Sequence, residues 1–236
     1  MDKRILAGIA VFLLAAGILA YVLRDNLAEL RGESMKKAST EFIKLPTPDY
    51  SGGMPLDKAV YLRESRREYK RGSLSLSELS QLLWAAGGKT HGGRRSIPSA
   101  GGLYPLEFYA VAGEVEGLER GVYRYNPEAN ALERTFLGDA RPALMRASLN
   151  QNMVGDAPAT IVITGVYERT TRVYGERGVA YVHMEAGHSG QNIYLQAESL
   201  GLGTVAVGAF SEEEVSRTLN LSVGENPLYL FPVGRV

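Results

Sequence analysis

The period of the apolar positions along this chain changes repeatedly, and the changes mark its elements. Ile5 to Leu23 is an unbroken apolar run with no charge, Tyr21 alone carrying a polar tip. At 1.5 Å per residue, about 19 helical residues reach roughly 28 Å, close to the hydrocarbon thickness of a bilayer. Tyr21-Val22-Leu23-Arg24-Asp25 is a poor cleavage site, so residues 1–24 are read as a membrane anchor (or uncleaved signal) and not as a removed leader. Lys3 and Arg4 on one flank oppose Arg24, Arg31, Lys36 and Lys37 on the other, and the reading leans toward a domain outside the cytoplasm. Residues 25–50, charged and then Pro-rich at Leu45-Pro46-Thr47-Pro48, read as a tether. Residues 51–236 read as one folded domain.

Within that domain the elements alternate in type. Leu56, Ala59, Val60 and Leu62 recur at helical spacing in a segment running to Glu68. Ser75 followed by Glu78 is a capping-box pattern, and it opens a helix to Ala86 that turns Leu79, Leu82 and Leu83 inward. Glu107–Ala112, Gly121–Tyr125 and Ala131–Phe136 read as strands, the last two parted by Asn126-Pro127. A short helix is expected over Ala140–Leu149, and the continuous apolar run Ala159–Val166 is expected to be a central strand.

A long helix is predicted from Tyr174 or Gly175 to Leu200, ended by Gly201 as a left-handed cap. Gly178, Gly187 and Gly190 inside it each cost roughly 1 kcal/mol against Ala. Close approach of another backbone would justify them, and a twofold partner helix is the natural candidate. Thr204–Phe210, a capped helix from Ser211, and Leu228–Val233 complete the pattern. No strict βαβ order with a glycine fingerprint appears, so the fold class is α+β with a mainly antiparallel sheet flanked by helices.

Composition narrows the chemistry. Lys plus Arg and Asp plus Glu balance at 26 each, leaving no net field to recruit nucleic acid. With no cysteine, disulfides, thiolate metal sites and thiol nucleophiles are excluded. His183, Glu185 and His188 do not make a metal set. Helix positions five apart differ by about 140°, unlike the i, i+4 pair of a zinc helix. Ser99 has no evident base, so a serine nucleophile is not supported.

Two segments carry positive signals. Pro98-Ser99-Ala100-Gly101-Gly102-Leu103-Tyr104-Pro105 delivers small residues straight into an aromatic strand; small side chains let backbone amides approach a flat, polar-edged ligand. Upstream, Arg63, Ser65 and Arg67 alternate with Glu64, Arg66 and Glu68. If extended, period-two geometry puts two guanidiniums and a hydroxyl on one face, suited to a phosphate. Taken alone, the same alternation also fits a solvated charge run.

Together, Arg63-x-Ser65-x-Arg67-x-Tyr69 and the Pro98–Pro105 loop resemble the nitroreductase superfamily of FMN enzymes, in particular its SagB/ThcOx-type dehydrogenase branch. The resemblance runs from about Ile43 to Gly234 and includes Glu185-Ala186-Gly187-His188, Gln191-Asn192 and Gly201-Leu202-Gly203. It implies an FMN-dependent oxidoreductase, a homodimer around the long helix, with a flavin at each interface and hydride transfer at flavin N5. By that resemblance Arg63 and Ser65 hold the phosphate and ribityl chain, and Arg67 approaches the pyrimidine edge. Pro98, Ser99 and Ala100 lie against the flavin of the other subunit. Gly102 stands where many relatives carry a ring-binding asparagine, and Gly208-Ala209 where a backbone N–H reaches N5. Relatives often add basic residues after the Val-Gly strand, a role for which Arg235 is the candidate. Azoline-oxidising relatives carry a Lys-Tyr pair where this chain has Val173-Tyr174, so Tyr174 is the candidate catalytic residue without its lysine. The substrate, small molecule or peptide-derived, stays open, as does whether NAD(P)H or the organic substrate is the donor. A non-catalytic, membrane-tethered flavin-binding or assembly module is the alternative.

Overall fold

In the computed structural model, residues 42–236 are described; the apolar run read as an anchor lies outside them. Among the described residues no helix is long and apolar enough to cross a membrane. The strands are β1 (Phe42–Lys44), β2 (Leu106–Ala112), β3 (Gly121–Asn126), β4 (Ala131–Leu137), β5 (Ala159–Gly165), β6 (Leu202–Thr204) and β7 (Asn226–Arg235). They form one sheet in the order β1-β4-β3-β2-β5-β7-β6, and every pairing is antiparallel. The continuous run expected at the centre is β5, buried at every position between β2 and β7. Strand β1 pairs Ile43 with Leu132, and Leu45 is buried, so the sheet reaches into the segment read as a tether.

The helices are α1 (Leu56–Leu62), α2 (Leu76–Gly87), α3 (Arg141–Ala147), α4 (Asn152–Asp156), α5 (Glu168–Tyr174), α6 (Arg177–Ser199) and α7 (Glu212–Leu219). Alternate residues of β2 serve two cores. Phe108 and Ala110 face Leu79, Leu82 and Leu83 of α2 with Val182, Ala186 and Ile193 of α6. Tyr109 and Val111 face Leu144 of α3, Val154 of α4 and Val215 of α7. Each fully buried leucine contributes about 2 kcal/mol by area removed from water. The capping box holds: Ser75 accepts from the Glu78 N–H, and the Glu78 carboxylate accepts from the Ser75 N–H at 2.8 Å.

Three expectations are corrected. Helix α1 stops at Leu62, not Glu68, because the next residues run extended along the sheet edge. There the Arg66 N–H donates to the Thr204 carbonyl and the Lys70 N–H to the Arg235 carbonyl. The long helix is present as α6, but it starts at Arg177 because Gly175, with φ of +58°, parts it from α5, a helix the pattern did not predict. The strand expected over Thr204–Phe210 ends at Thr204 because the Ala206 N–H turns to the Tyr194 hydroxyl; only Val207 rejoins the sheet, opposite Leu230.

The glycines of α6 are also explained differently from expectation. A Cβ on Gly178 would meet the backbone of Thr170 and Thr171 at 2.8–2.9 Å, and one on Gly190 would meet the Phe231 ring at 2.7 Å. Both are close approaches within this chain. A Cβ on Gly187 would meet nothing within 4 Å, and Gly187 is exposed.

Candidate active site

Two groups of predicted residues assemble along α6. In the first, the extended backbone after α1 turns Arg63 and Ser65 to the same side, where both meet Tyr194. The Arg63 guanidinium lies over the Tyr194 ring, 5.3 Å from its centroid, and the Ser65 and Tyr194 hydroxyls are 2.9 Å apart. The Tyr194 hydroxyl also accepts from the Ala206 N–H at 2.8 Å, tying this face to the loop that leads into Gly208. Arg67 is exposed and makes no hydrogen bond or ion pair among the described residues. Arg66, of opposite phase, reaches inward to Glu198 of α6 at 2.9 Å and anchors the segment.

Gly208 and Ala209 are exposed. Among the described residues their N–H groups have no partner, although the Ala209 carbonyl accepts from Gln151. Two cations, a hydroxyl and free amides on one frame are the donor set for an anionic, flat, acceptor-edged ligand. Arg235 does not join it. Its guanidinium forks onto both Glu78 carboxylate oxygens at 2.6 and 2.8 Å and donates to the Ser73 carbonyl. The capping box has claimed the last basic residue.

The second group surrounds the Pro98 loop. Ser99 accepts from the Tyr104 N–H at 2.9 Å, and Gly101 and Gly102 take φ of +60° and +65°. The open side of Gly102 offers room that a side chain would fill. Tyr174 places its hydroxyl 2.8 Å from the position of a Cβ on Gly101, and its ring stands edge-on to Tyr181. Pro98 is exposed and Ala100 half-buried.

Beneath this loop lies Glu185, 3% exposed. Burial pushes its carboxyl from 4.5 up to about 7, while the Ser99 hydroxyl and the Ala100 amide hold it down. Oε1 has no hydrogen-bond partner. In the sequence Glu185 stood in a rejected metal set and in the motif Glu185-Ala186-Gly187-His188, with no role of its own. It stands in phase with the buried stripe Val182, Ala186, Ser189 and Ile193, and an acid in an apolar phase is the signal that would have found it. Tyr194 and Tyr167 carried no such signal.

Glu185 and Tyr194 are nine residues apart on α6, so the two groups lie about 180° apart around the helix and about 13.5 Å apart along it. Within one chain they face opposite ways.

Over residues 60–235 the sequence matches the Nitroreductase family. A protein of Methanocaldococcus jannaschii described as a nitroreductase is 48% identical over 181 residues, 76% of this chain and 90% of that protein. The microcin B17-processing protein McbC of Escherichia coli is 28% identical over 158 residues, 64% of this chain and 58% of McbC. Among solved structures, a nitroreductase of Ralstonia eutropha superposes with a TM-score of 0.74 at 32% identity, covering 84% of this chain and 91% of that one. A chain of the E. coli microcin synthetase McbBCD complex, with truncated pro-MccB17 bound, superposes with a TM-score of 0.64 at 25% identity, covering 89% and 82%.

Proposed function

The chain belongs to the nitroreductase family, and on that footing we propose that it is an FMN-dependent oxidoreductase. In this reading it works as a homodimer held to a membrane by residues 1–24. The observation that carries the proposal is the shared frame at Tyr194, which joins Arg63 and Ser65 to the loop bearing the unpaired Gly208 and Ala209 amides. Those donors suit a flavin mononucleotide, and the fit is chemical. Arg63 and Ser65 would neutralise and hydrogen-bond a phosphate and its ribityl chain, and Arg67 would approach the pyrimidine edge. The Gly208 or Ala209 N–H would face a ring nitrogen that gains charge on reduction. When bound, FMN supplies hydride chemistry that no side chain of this protein provides.

The Pro98–Gly102 loop completes the site from a second copy. Ser99 and Ala100 lie on the far side of α6 from Tyr194, so a twofold arrangement is what would bring the two half-sites together. Closing the loop over a flat ring would exclude water from the reacting edge. The substrate is a small molecule or a peptide-derived group; the likeness to a microcin-processing protein supports the latter.

The test is colour. The purified full chain is expected to be yellow and to bleach anaerobically when given NAD(P)H or an organic donor. A colourless protein that takes up no added FMN overturns the reading. Bound flavin that no donor reduces would favour the flavin-holding module instead.

A further inference from the structure

A cavity of about 400 Å3 opens beside Gly208, walled by Phe210, Tyr229 and Leu228. On its rim, Tyr167, just before α5, and His183 of α6 form a contact that the site described above does not use. The tyrosine oxygen lies 2.6 Å from His183 Nε2, and the rings meet edge to face at 5.5 Å. Both residues line the cavity together with Gly208. Tyr167 is half-buried and His183 exposed, so His183 is open to exchange with water. The remaining titratable groups on the wall are Glu212 from α7 and Tyr229 from β7.

We propose that Tyr167 and His183 form the proton carrier of this cavity, serving a flat, carbonyl-bearing acceptor that takes a hydride and a proton. The inference rests on the flavin reading above, because Gly208 marks the edge from which the hydride would come. For a quinone, bound reduced flavin would supply the hydride, with its electron pair, to one oxygen. The other oxygen takes the Tyr167 proton as Tyr167 Oη takes one from His183 Nε2, and the imidazole is recharged from water. Run backward, the same path removes a proton from a donor's hydroxyl or amine. Charge and atoms balance, with one proton entering from solvent per hydride transferred.

Burial, with the Glu212 carboxylate adding, raises the tyrosine's pKa, which keeps Oη protonated as a donor at neutral pH. A positioned acid of this kind typically contributes about 10²-fold or more. Tyr174 is placed otherwise, its hydroxyl against Gly101 and its ring against Tyr181.

The test uses the flavin-loaded full chain with two acceptors. Menadione takes hydride and proton; ferricyanide takes electrons only. Tyr167→Phe and His183→Gln are each expected to slow menadione reduction about a hundredfold, while ferricyanide reduction and flavin content stay within about twofold. The double variant should be no slower than either single one, since both lie on one path. Equal losses with both acceptors, or no loss with menadione, would overturn the carrier. A second readout is free of flavin. Histidine-ring 15N spectra should show His183 carrying its proton on Nε2, hydrogen-bonded to Tyr167 Oη, with the Nε2 resonance shifting in Tyr167→Phe; spectra unchanged by the substitution would refute the pair. A protein that binds no flavin turns over neither acceptor and so sinks the proposed function, while the ring spectra still decide the pair.

Discussion

The Glu185 carboxyl faces the Ser99 hydroxyl and the Ala100 amide with one oxygen unpartnered, and its proton is held by burial. Because its pKa rises from 4.5 to about 7 on folding, the folded chain binds this proton more tightly than the unfolded chain does. That contribution to stability is fully present below pH 4.5 and is lost as pH rises through about 7. Glu185→Gln keeps the shape and removes the titration, so denaturant unfolding of the variant should fall less between pH 5 and pH 8 than that of the parent. Identical slopes would show that the carboxyl titrates normally. At the other half-site, Arg63→Ala and Arg67→Ala should each weaken FMN binding roughly ten- to a hundredfold, the range of a charge-assisted contact worth about 1.5–3 kcal/mol. Full flavin occupancy at low FMN in the double variant would move the phosphate elsewhere. Ser65 and Arg63 were legible because their motif is contiguous. Tyr194, which binds both, is not.

Helix α6 and the extended strip beside it decide which of those residues can cooperate. Arg66 fastens the strip to Glu198, which is buried. Removing one partner leaves a buried carboxylate, so Arg66→Ala should cost about 2 kcal/mol in urea unfolding and loosen flavin as well. A loss below about 0.5 kcal/mol would mean that the backbone bonds to Thr204 and Arg235 suffice. The three glycines of α6 separate by cause. Gly190→Ala would drive a methyl into Phe231 and should destabilise the chain by about 1–3 kcal/mol. Gly187→Leu meets open space and improves helix propensity by a little under about 1 kcal/mol, so it should leave the fold intact. If α6 is the twofold contact, Gly187→Leu should nonetheless dissociate the dimer in sedimentation. A stable dimer of this variant would place the contact on another element.

At the scale of the whole molecule, the half-sites around Tyr194 and Ser99 point to opposite sides of α6, so the chain is expected to dimerise with about one FMN per protomer. Equilibrium sedimentation with flavin absorbance checks this, and a monomer that retains FMN would overturn it. Much of the architecture was legible beforehand. The Ser75–Glu78 capping box and the strands β2 to β5 depend on neighbours a few residues apart, and local bonds and apolar period are written in the order of residues. The end of α1 was not legible, since apolar spacing carries past Leu62 while the Arg66 and Lys70 amides bond to strands far along the chain. Nor was the loss of Arg235 to Glu78, a pairing across 157 positions. The contact of Tyr167 with His183 is set by the turn at Gly175 and the angle at which α5 meets α6. The sequence by itself determined which chemical groups this protein carries and which elements hold them. Which groups meet was decided by tertiary packing alone, because long-range partners are chosen by the shape of the two cores and leave no periodic trace in the chain.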